Sequence, residues 1–346
     1  MGELHLGLAP RAIEPAPVID LVLAREVADP PPPAIARLRD HYVPTFYLDV
    51  GNVCEVSCRY CCLDRGPDDR FAFNVPLERL IATGASAVAR GLARASLIGG
   101  EPALRKDLPR LLEGLRGAGI TGVTLTTKSA RLAAPGYVER LADGGVTLVH
   151  LSLDDFDPAV LARLLDDDDA PEGVLASVEA LLAEPRIEVL FYAVVTPLNA
   201  PNLPRYVERV AEAASRYGRE QSVAFSALKP TGRATRHRDL IGMPLRDAAR
   251  DVQRALQRAA ELGLGAMYRG LPPCLMEGWV DLELDRWIAE ARLNVETGER
   301  ALAEIDLTHA RGSPCASCRE QARCGGPHRT YVEWYGWSEF LPLAQP

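Results

Sequence analysis

The sequence has little lysine and no long apolar run. Its 39 basic residues include only three lysines, Lys106, Lys128 and Lys229, a scarcity that we interpret as compositional bias. No stretch approaches the roughly 18 apolar residues that a membrane-spanning helix needs. Residues 1–23 lack the basic start and apolar core of a signal peptide. These absences predict a cytoplasmic protein with no membrane partner.

The chain also lacks an excess of positive charge. Its formal net charge is −8, whereas proteins that bind nucleic acid use basic patches to neutralise phosphates. Nucleic acid is therefore not expected as a partner. The 346 residues, 47% of them hydrophobic and 25% charged, are typical of a soluble globular protein with one large domain and a smaller one.

The eight cysteines are too few and too clustered for a disulfide scaffold of this length. Clustered cysteines in a protein that is not exported indicate metal ligands that are kept reduced.

Short apolar strands alternate with amphipathic helices from residue 44 onwards. We predict strands at residues 45–50, 95–98, 122–126, 146–153, 187–195 and 222–228, and helices at 76–93, 107–118, 135–142, 172–183, 203–217 and 245–262. Six such units predict a parallel α/β sheet covered by helices, either doubly wound or an incomplete barrel. In both arrangements ligands gather at the C-terminal ends of the strands.

Three regions follow from this pattern. Residues 1–43 form an N-terminal arm interrupted by Pro30–Pro33, and residues 44–264 form the large domain. Residues 265–346, in which glycine, proline, tryptophan and cysteine become frequent, form a small C-terminal domain.

Three cysteines follow the first predicted strand in the pattern C-x3-C-x2-C: Cys54, Cys58 and Cys61. Structural zinc normally takes four protein ligands and a four-iron cluster presents four irons, so three thiolates leave one position open. A small molecule can bind at that position. Taken alone, the same three cysteines also fit a structural zinc site or a disulfide loop.

The second predicted strand ends in Gly99-Gly100-Glu101-Pro102, about 40 residues later. Glycines at this point let a ligand approach the backbone closely. The cysteine loop, this GGEP motif and the six strand–helix units together resemble the radical S-adenosylmethionine (SAM) superfamily over about residues 44–240.

The resemblance implies a partial (β/α)6 barrel and a [4Fe-4S] cluster bound by Cys54, Cys58 and Cys61. The fourth iron of that cluster chelates SAM. The GGEP motif, including Pro102, would lie against the amino group of SAM. No catalytic residue is expected beyond the cluster-bound SAM.

Other rim positions resemble segments of the family less specifically. We expect Thr126, Ser152, Asn199 and Arg233 to contact the cofactor, although each could instead be a turn residue that satisfies local backbone groups. At Lys128-Ser129 the sequence departs from the Asn-Gly that relatives often carry, which puts the usual turn geometry in doubt.

A second group, Cys315, Cys318 and Cys324, forms C-x2-C-x5-C, with Cys274 further upstream. Four thiolates make a closed set that suits zinc or an auxiliary [4Fe-4S] cluster. Behind a radical SAM barrel, the pattern resembles a shortened SPASM or Twitch domain. Two alternatives stay open: His328 could be a substitute ligand, and Cys274 could be a thiol that faces the substrate.

Two further groups of residues carry expectations. We expect Cys62 to be a small buried apolar residue. The aromatic segment 331–337 is expected to pack around the second cysteine group, or alternatively to line the substrate cavity.

The resemblance also implies the chemistry. The reduced first cluster would cleave SAM to a 5′-deoxyadenosyl radical, which abstracts hydrogen from a substrate. We expect a peptide substrate, with a sugar, aminocyclitol or other natural product as the alternative, and a reductant such as flavodoxin or ferredoxin. The non-enzymatic alternative is an electron carrier or a zinc-stabilised binding module.

Overall fold

The computed structural model describes residues 32–42, 45–63, 72–288 and 308–344. Most of the predicted N-terminal arm lies outside these residues. Within the described ranges, no helix combines the length and apolar character that crossing a bilayer requires.

One parallel sheet of seven strands forms the centre of the protein, with the strands in chain order from one edge to the other. They are β1 (Thr45–Asp49), β2 (Arg94–Ile98), β3 (Gly122–Thr127), β4 (Val146–Ser152), β5 (Glu188–Val195), β6 (Ser222–Ala227) and β7 (Gly265–Arg269). Every neighbouring pair is parallel. The predicted α/β class is therefore confirmed.

Strand β7 was not predicted. It is only five residues long, begins at Gly265 and is followed by Gly270, so local pattern gives it little signal. Its backbone pairs with β6 from Ser222↔Gly265 to Ser226↔Arg269. The sheet thus extends five residues past the expected boundary at 264/265, and the division into two domains stays a prediction.

Helices follow the strands as the crossover pattern requires. They are α1 (Pro33–Tyr42), α2 (Leu77–Val88), α3 (Leu108–Gly117), α4 (Tyr137–Asp143), α5 (Pro158–Leu165), α6 (Ala170–Ala183), α7 (Leu203–Ser215), α8 (Arg233–Arg236), α9 (Arg238–Ile241), α10 (Leu245–Glu261), α11 (Leu284–Ile288) and α12 (Arg329–Tyr335). Helix α5 was not predicted; Asp157 caps it by accepting a hydrogen bond from Ala159 N at 2.8 Å.

The inner face of the sheet is closed at one end by apolar side chains. Ile35 and Leu38 of α1 and Trp287 of α11 pack on inward-facing residues of four strands, namely Leu148, Leu190, Ala224 and Met267. Burial of each large apolar side chain contributes about 1.5–3 kcal/mol to stability. The cysteine loop begins where β1 ends, at the C-terminal ends of the strands.

Candidate functional site

The cysteine loop and the GGEP motif form one packed unit at the ends of β1 and β2. Gly100 N donates to Gly51 O at 2.8 Å, and Glu101 N donates to Val53 O at 2.7 Å. A Cβ on Gly99 would lie 2.6 Å from Asp49 Oδ1, and one on Gly100 would lie 2.6 Å from the carbonyl carbon of Asn52. The glycines are needed because the loop backbone passes directly against them.

A buried arginine holds the base of the loop. The Arg105 guanidinium donates to Val50 O at 2.8 Å and to Val75 O at 3.0 Å, and it pairs with Asp107 at 2.9 Å. Its side chain is only 2% exposed. Sequence reasoning missed this residue because nothing local shows that a charged side chain after GGEP turns inward.

The far end of the loop is fixed by the segment that follows β6. Ala234 N donates to Cys61 O at 3.3 Å, and Thr231 Oγ1 donates to Cys62 O at 3.2 Å. The Arg233 side chain reaches Asp166 at 3.4 Å, and Asp166 also pairs with Arg59. Arg233 thus pairs with a carboxylate of the protein itself. The expected contact between Arg233 and a cofactor stays a prediction.

The three thiols of the loop interact electrostatically with one another. Burial raises the pKa of Cys54 to about 11 and that of Cys61 to about 12. Thiolates in such surroundings need positive charge nearby, and bound metal supplies it by displacing the protons. Three soft sulfur donors in one loop fit an iron–sulfur cluster with one iron left for another ligand.

Glu101 is enclosed by hydrogen-bond donors. Its carboxylate accepts from Thr127 Oγ1 at 2.6 Å, Lys128 N at 2.9 Å and Ala103 N at 3.0 Å. Burial nevertheless raises its pKa to about 7. A cationic amine beside this group would favour its ionised form, which agrees with the expected contact to an amino group.

Lys128, Tyr60 and Asp154 form a polar network against the loop that sequence reasoning did not predict. The Lys128 ammonium donates to Tyr60 Oη and lies 3.5 Å from Asp154 Oδ2. Its charge also interacts with the thiols of Cys58 and Cys54. Burial would lower the pKa of Lys128, but Cys58 and Asp154 outweigh burial and raise it. The lysine is therefore a fixed cation beside the cysteines.

Asn199 has a different role from the one predicted. Its Oδ1 accepts from Thr196 N and Oγ1, and its Nδ2 donates to Asp154 O and Val194 O, all within 3.0 Å. The side chain is fully buried and its amide uses its whole hydrogen-bonding capacity inside the protein. It braces the turn after β5 and has no group left for a cofactor.

Ser152 and Thr126 lie near the same rim. Both are half-buried, at the end of β4 and one residue before the end of β3. Their predicted contacts with the cofactor stay predictions.

Cys274, Cys315, Cys318 and Cys324 all line one cavity. Cys274 interacts electrostatically with the other three, and burial raises its pKa to about 12. Gly326 N donates to Cys324 Sγ at 3.3 Å, a bond of the kind that stabilises a thiolate ligand. The structure thus brings together the four residues of the predicted closed set.

His328 accepts a hydrogen bond from Thr330 N through Nδ1 and so caps α12. Its ring centroid lies 5.6 Å from that of His309. These contacts explain the histidine without a metal, so nothing in them favours His328 as a substitute ligand.

The aromatic segment 331–337 lies near two cavities, and its predicted role stays a prediction. Tyr331, Trp334 and Tyr335 line a second cavity at the ends of β5 and β6. Trp337 packs against Phe340, and Phe340 lines the cysteine cavity.

All eight cysteines are free thiols. Cys62 is exposed, so the prediction of a buried apolar residue was wrong. The loop reaches the surface at Cys62, and the carbonyl oxygen of Cys62 accepts the hydrogen bond from Thr231 Oγ1.

In the described part of the chain, no set of three or more Cys, His, Asp or Glu side chains is arranged to hold a single metal ion.

Comparison with known proteins supports the predicted class. Residues 48–184 match the radical SAM superfamily. This stretch contains the cysteine loop and GGEP, so the resemblance predicted from these two motifs is confirmed. SAM and a [4Fe-4S] cluster are the cofactors of this class; the auxiliary cluster stays a prediction.

Two curated relatives match part of the chain. GTP 3′,8-cyclase of Acidothermus cellulolyticus is 35% identical over 139 residues, which are 38% of this chain and 38% of that protein. GTP 3′,8-cyclase of Erythrobacter litoralis is 31% identical over 164 residues, 46% of this chain and 48% of that one. The chain thus spans less than half the length of either relative.

A solved structure matches more of the chain. Streptococcus suis SuiB, bound to its precursor peptide SuiA, has a TM-score of 0.62 and 17% identity, and the match covers 89% of this chain and 78% of that one. At that identity the likeness concerns the fold alone, and it confirms the predicted partial barrel.

Proposed function

We propose that this chain is a radical SAM enzyme with two iron–sulfur clusters, in which Cys54, Cys58 and Cys61 bind the first. The observation that carries the proposal is the packing of the cysteine loop onto GGEP through the bonds from Gly100 N and Glu101 N. The two motifs of the class are thereby held at one rim of the barrel.

In this class the bound cofactors supply a 5′-deoxyadenosyl radical, made by one-electron reduction of SAM, that removes hydrogen from a substrate. This chain's own residues bind and orient. Glu101 offers a buried carboxylate to the amino group of SAM, and its anchoring by Thr127 and Ala103 fixes its direction. The sheet and its helices exclude water, which protects a reactive species.

The auxiliary cluster would be held by Cys274, Cys315, Cys318 and Cys324. Because four protein ligands close the set, this cluster would accept an electron from the substrate or orient it without binding SAM. A SPASM- or Twitch-like role for residues 265–346 rests on this ligand set.

Two substrate classes have separate support. The fold likeness to SuiB, which was solved with a precursor peptide, includes the C-terminal region and supports a peptide. The curated relatives named GTP 3′,8-cyclase support a small molecule instead.

The test is anaerobic reconstitution followed by reduction with dithionite. We expect about eight irons per chain, four for each cluster, and conversion of SAM to 5′-deoxyadenosine. Replacing Cys54, Cys58 and Cys61 with alanine should abolish the conversion. Tightly bound zinc with no 5′-deoxyadenosine would contradict the proposal and favour a zinc-stabilised binding module.

The substrate class is tested with the same protein. Formation of 5′-deoxyadenosine from SAM should accelerate in the presence of the true substrate, so panels of short peptides and of nucleotides or sugars are compared by mass spectrometry. Deuterium transfer from a labelled panel member into 5′-deoxyadenosine identifies the class; no transfer from any peptide would end the peptide hypothesis for that panel.

A further inference from the structure

Lys128 is held against the loop of the first cysteine group. Its ammonium donates to Oη of Tyr60, the residue before Cys61, and lies 4.8 Å from the centre of the Tyr60 ring. Its charge interacts with the thiols of Cys58 and Cys54. The side chain is 11% exposed. Its backbone N–H is bonded to Glu101 Oε2 at 2.9 Å, so both ends of the residue are fixed.

The partners of Lys128 are themselves immobile. Asp154, whose side chain is 1% exposed, accepts from Val194 N at 2.9 Å and from Tyr60 Oη. The carboxylate balances the buried ammonium, which would otherwise be costly to hold away from water. The ammonium bonds Tyr60 inside the cysteine loop and interacts electrostatically with Cys58 and Cys54, so the cation of the Lys128–Asp154 pair lies close to the thiols.

We propose that Lys128 is a positioning residue that raises the reduction potential of the cluster bound by Cys54, Cys58 and Cys61, an inference that rests on the proposed function. Reduction moves one electron from an external one-electron donor onto the cluster and changes no covalent bond. The added negative charge is stabilised by a fixed cation nearby, and most strongly in a site of low dielectric constant. Asp154 acts in the opposite sense, since it is the fixed negative charge of the same pair.

This arrangement makes a prediction of sign that a merely structural role would not. Lys128→Met removes the cation and should lower the potential. Asp154→Asn removes the anion and should raise it. Lys128→Arg keeps the charge and should retain most of the wild-type potential. Lys106→Met is the matched control, because Lys106 is exposed and lies between β2 and α3.

The experiment is a redox titration of the anaerobically reconstituted full chain, followed by electron paramagnetic resonance (EPR) without SAM. The signal of the first cluster is identified afterwards by its change when SAM is added. For Lys128→Met we expect the ratio of reduced to oxidised cluster at a fixed potential to fall at least tenfold, which is about 59 mV for a one-electron couple. In Asp154→Asn the ratio of reduced to oxidised cluster should rise. The iron content of both variants should equal that of the wild type.

The outcomes separate the two hypotheses. Wild-type protein without a four-iron cluster would refute the proposed function. If Lys128→Met contains clusters of full iron content and its reduction potential is unshifted, only the role of Lys128 is refuted, and the proposed function is not. Shifts of the same sign in Lys128→Met and Asp154→Asn would also refute it, because loosening of the loop then explains both. If Lys128→Met binds no iron, Asp154→Asn decides by the same measurement.

Discussion

The two cysteine groups of this protein lie in contrasting surroundings. The first is a loop joined to the sheet, with a buried glutamate, a buried arginine and the Lys128 ammonium packed around it. In the second group, Cys274 and Cys315 lie on short 3₁₀ segments. Its four cysteines line a cavity to which Arg311, Glu320 and several prolines also contribute: Pro272, Pro273, Pro314, Pro327 and Pro342.

The difference indicates different tasks. Charged groups beside three thiols suit a cluster that takes up an electron and binds an amino acid group at its open iron. Four thiols around one cavity suit a cluster that the protein ligates completely. The first group would start the radical reaction, and the second would act on the radical formed on the substrate.

The largest expected effect separates the groups directly. Cys58→Ala should remove SAM cleavage entirely, because the first cluster loses one of its three ligands. Cys318→Ala should retain at least part of the cleavage while substrate turnover stops. The rate of 5′-deoxyadenosine formation measures both. Equal loss in the two variants would mean that the second group is needed only for folding.

Arg105 tests whether the base of the first loop is rigid. Arg105→Met removes this donor from the buried carbonyl oxygen of Val75 and leaves the carbonyl oxygen of Val50 with its bond from Val75 N. The free energy of unfolding should fall by about 2–3 kcal/mol. Arg110→Met is the control, since Arg110 is exposed on α3. Anaerobic denaturant unfolding measures the difference, and a loss no larger than that of the control would show that the loop does not depend on this contact.

The raised pKa of Glu101 can be tested through the pH dependence of unfolding. Its folded-state pKa is raised from 4.5 to about 7, so the native protein binds the proton more tightly than the unfolded chain does. The stabilisation is fully present below about pH 4.5 and is lost as pH rises through 7, by about 2–3 kcal/mol in all. Glu101→Gln should remove this part of the pH dependence of unfolding in SAM-free protein. An identical pH profile in the variant would contradict the assignment.

The smallest expected effect lies at the outer end of the loop. Asp166 pairs with Arg59 and Arg233, but its side chain is 35% exposed. Asp166→Ala should therefore cost less than about 1 kcal/mol of unfolding free energy, and the difference should shrink in high salt. A larger, salt-independent loss would mean that the loop is held more by this pair than by its backbone bonds.

Much of the fold was predictable because its signals are local. The apolar runs that became β1–β6 alternate with helices at a spacing that only parallel crossovers satisfy. Strand β7 was missed because pairing with β6, and not its own five residues, makes it a strand. Helix α5 was missed because its apolar residues border the acidic run 166–169.

The site was predictable where its residues are neighbours in sequence. The three loop cysteines and GGEP are short motifs, whereas Tyr60, Lys128 and Asp154 meet only after three strand–helix units have been placed. Asn199 shows that a sequence match can also mislead. Its position matched a family segment, but only the structure reveals that its amide is fully used inside the protein.

The central claim is that two four-iron clusters are present and that only the first binds SAM. EPR spectra of the reduced, reconstituted protein, recorded with and without SAM, test it most directly. We expect two cluster signals, of which SAM alters one, and that signal should be absent when Cys54, Cys58 and Cys61 are replaced by alanine. A single signal, or two signals that SAM leaves unchanged, would contradict this account.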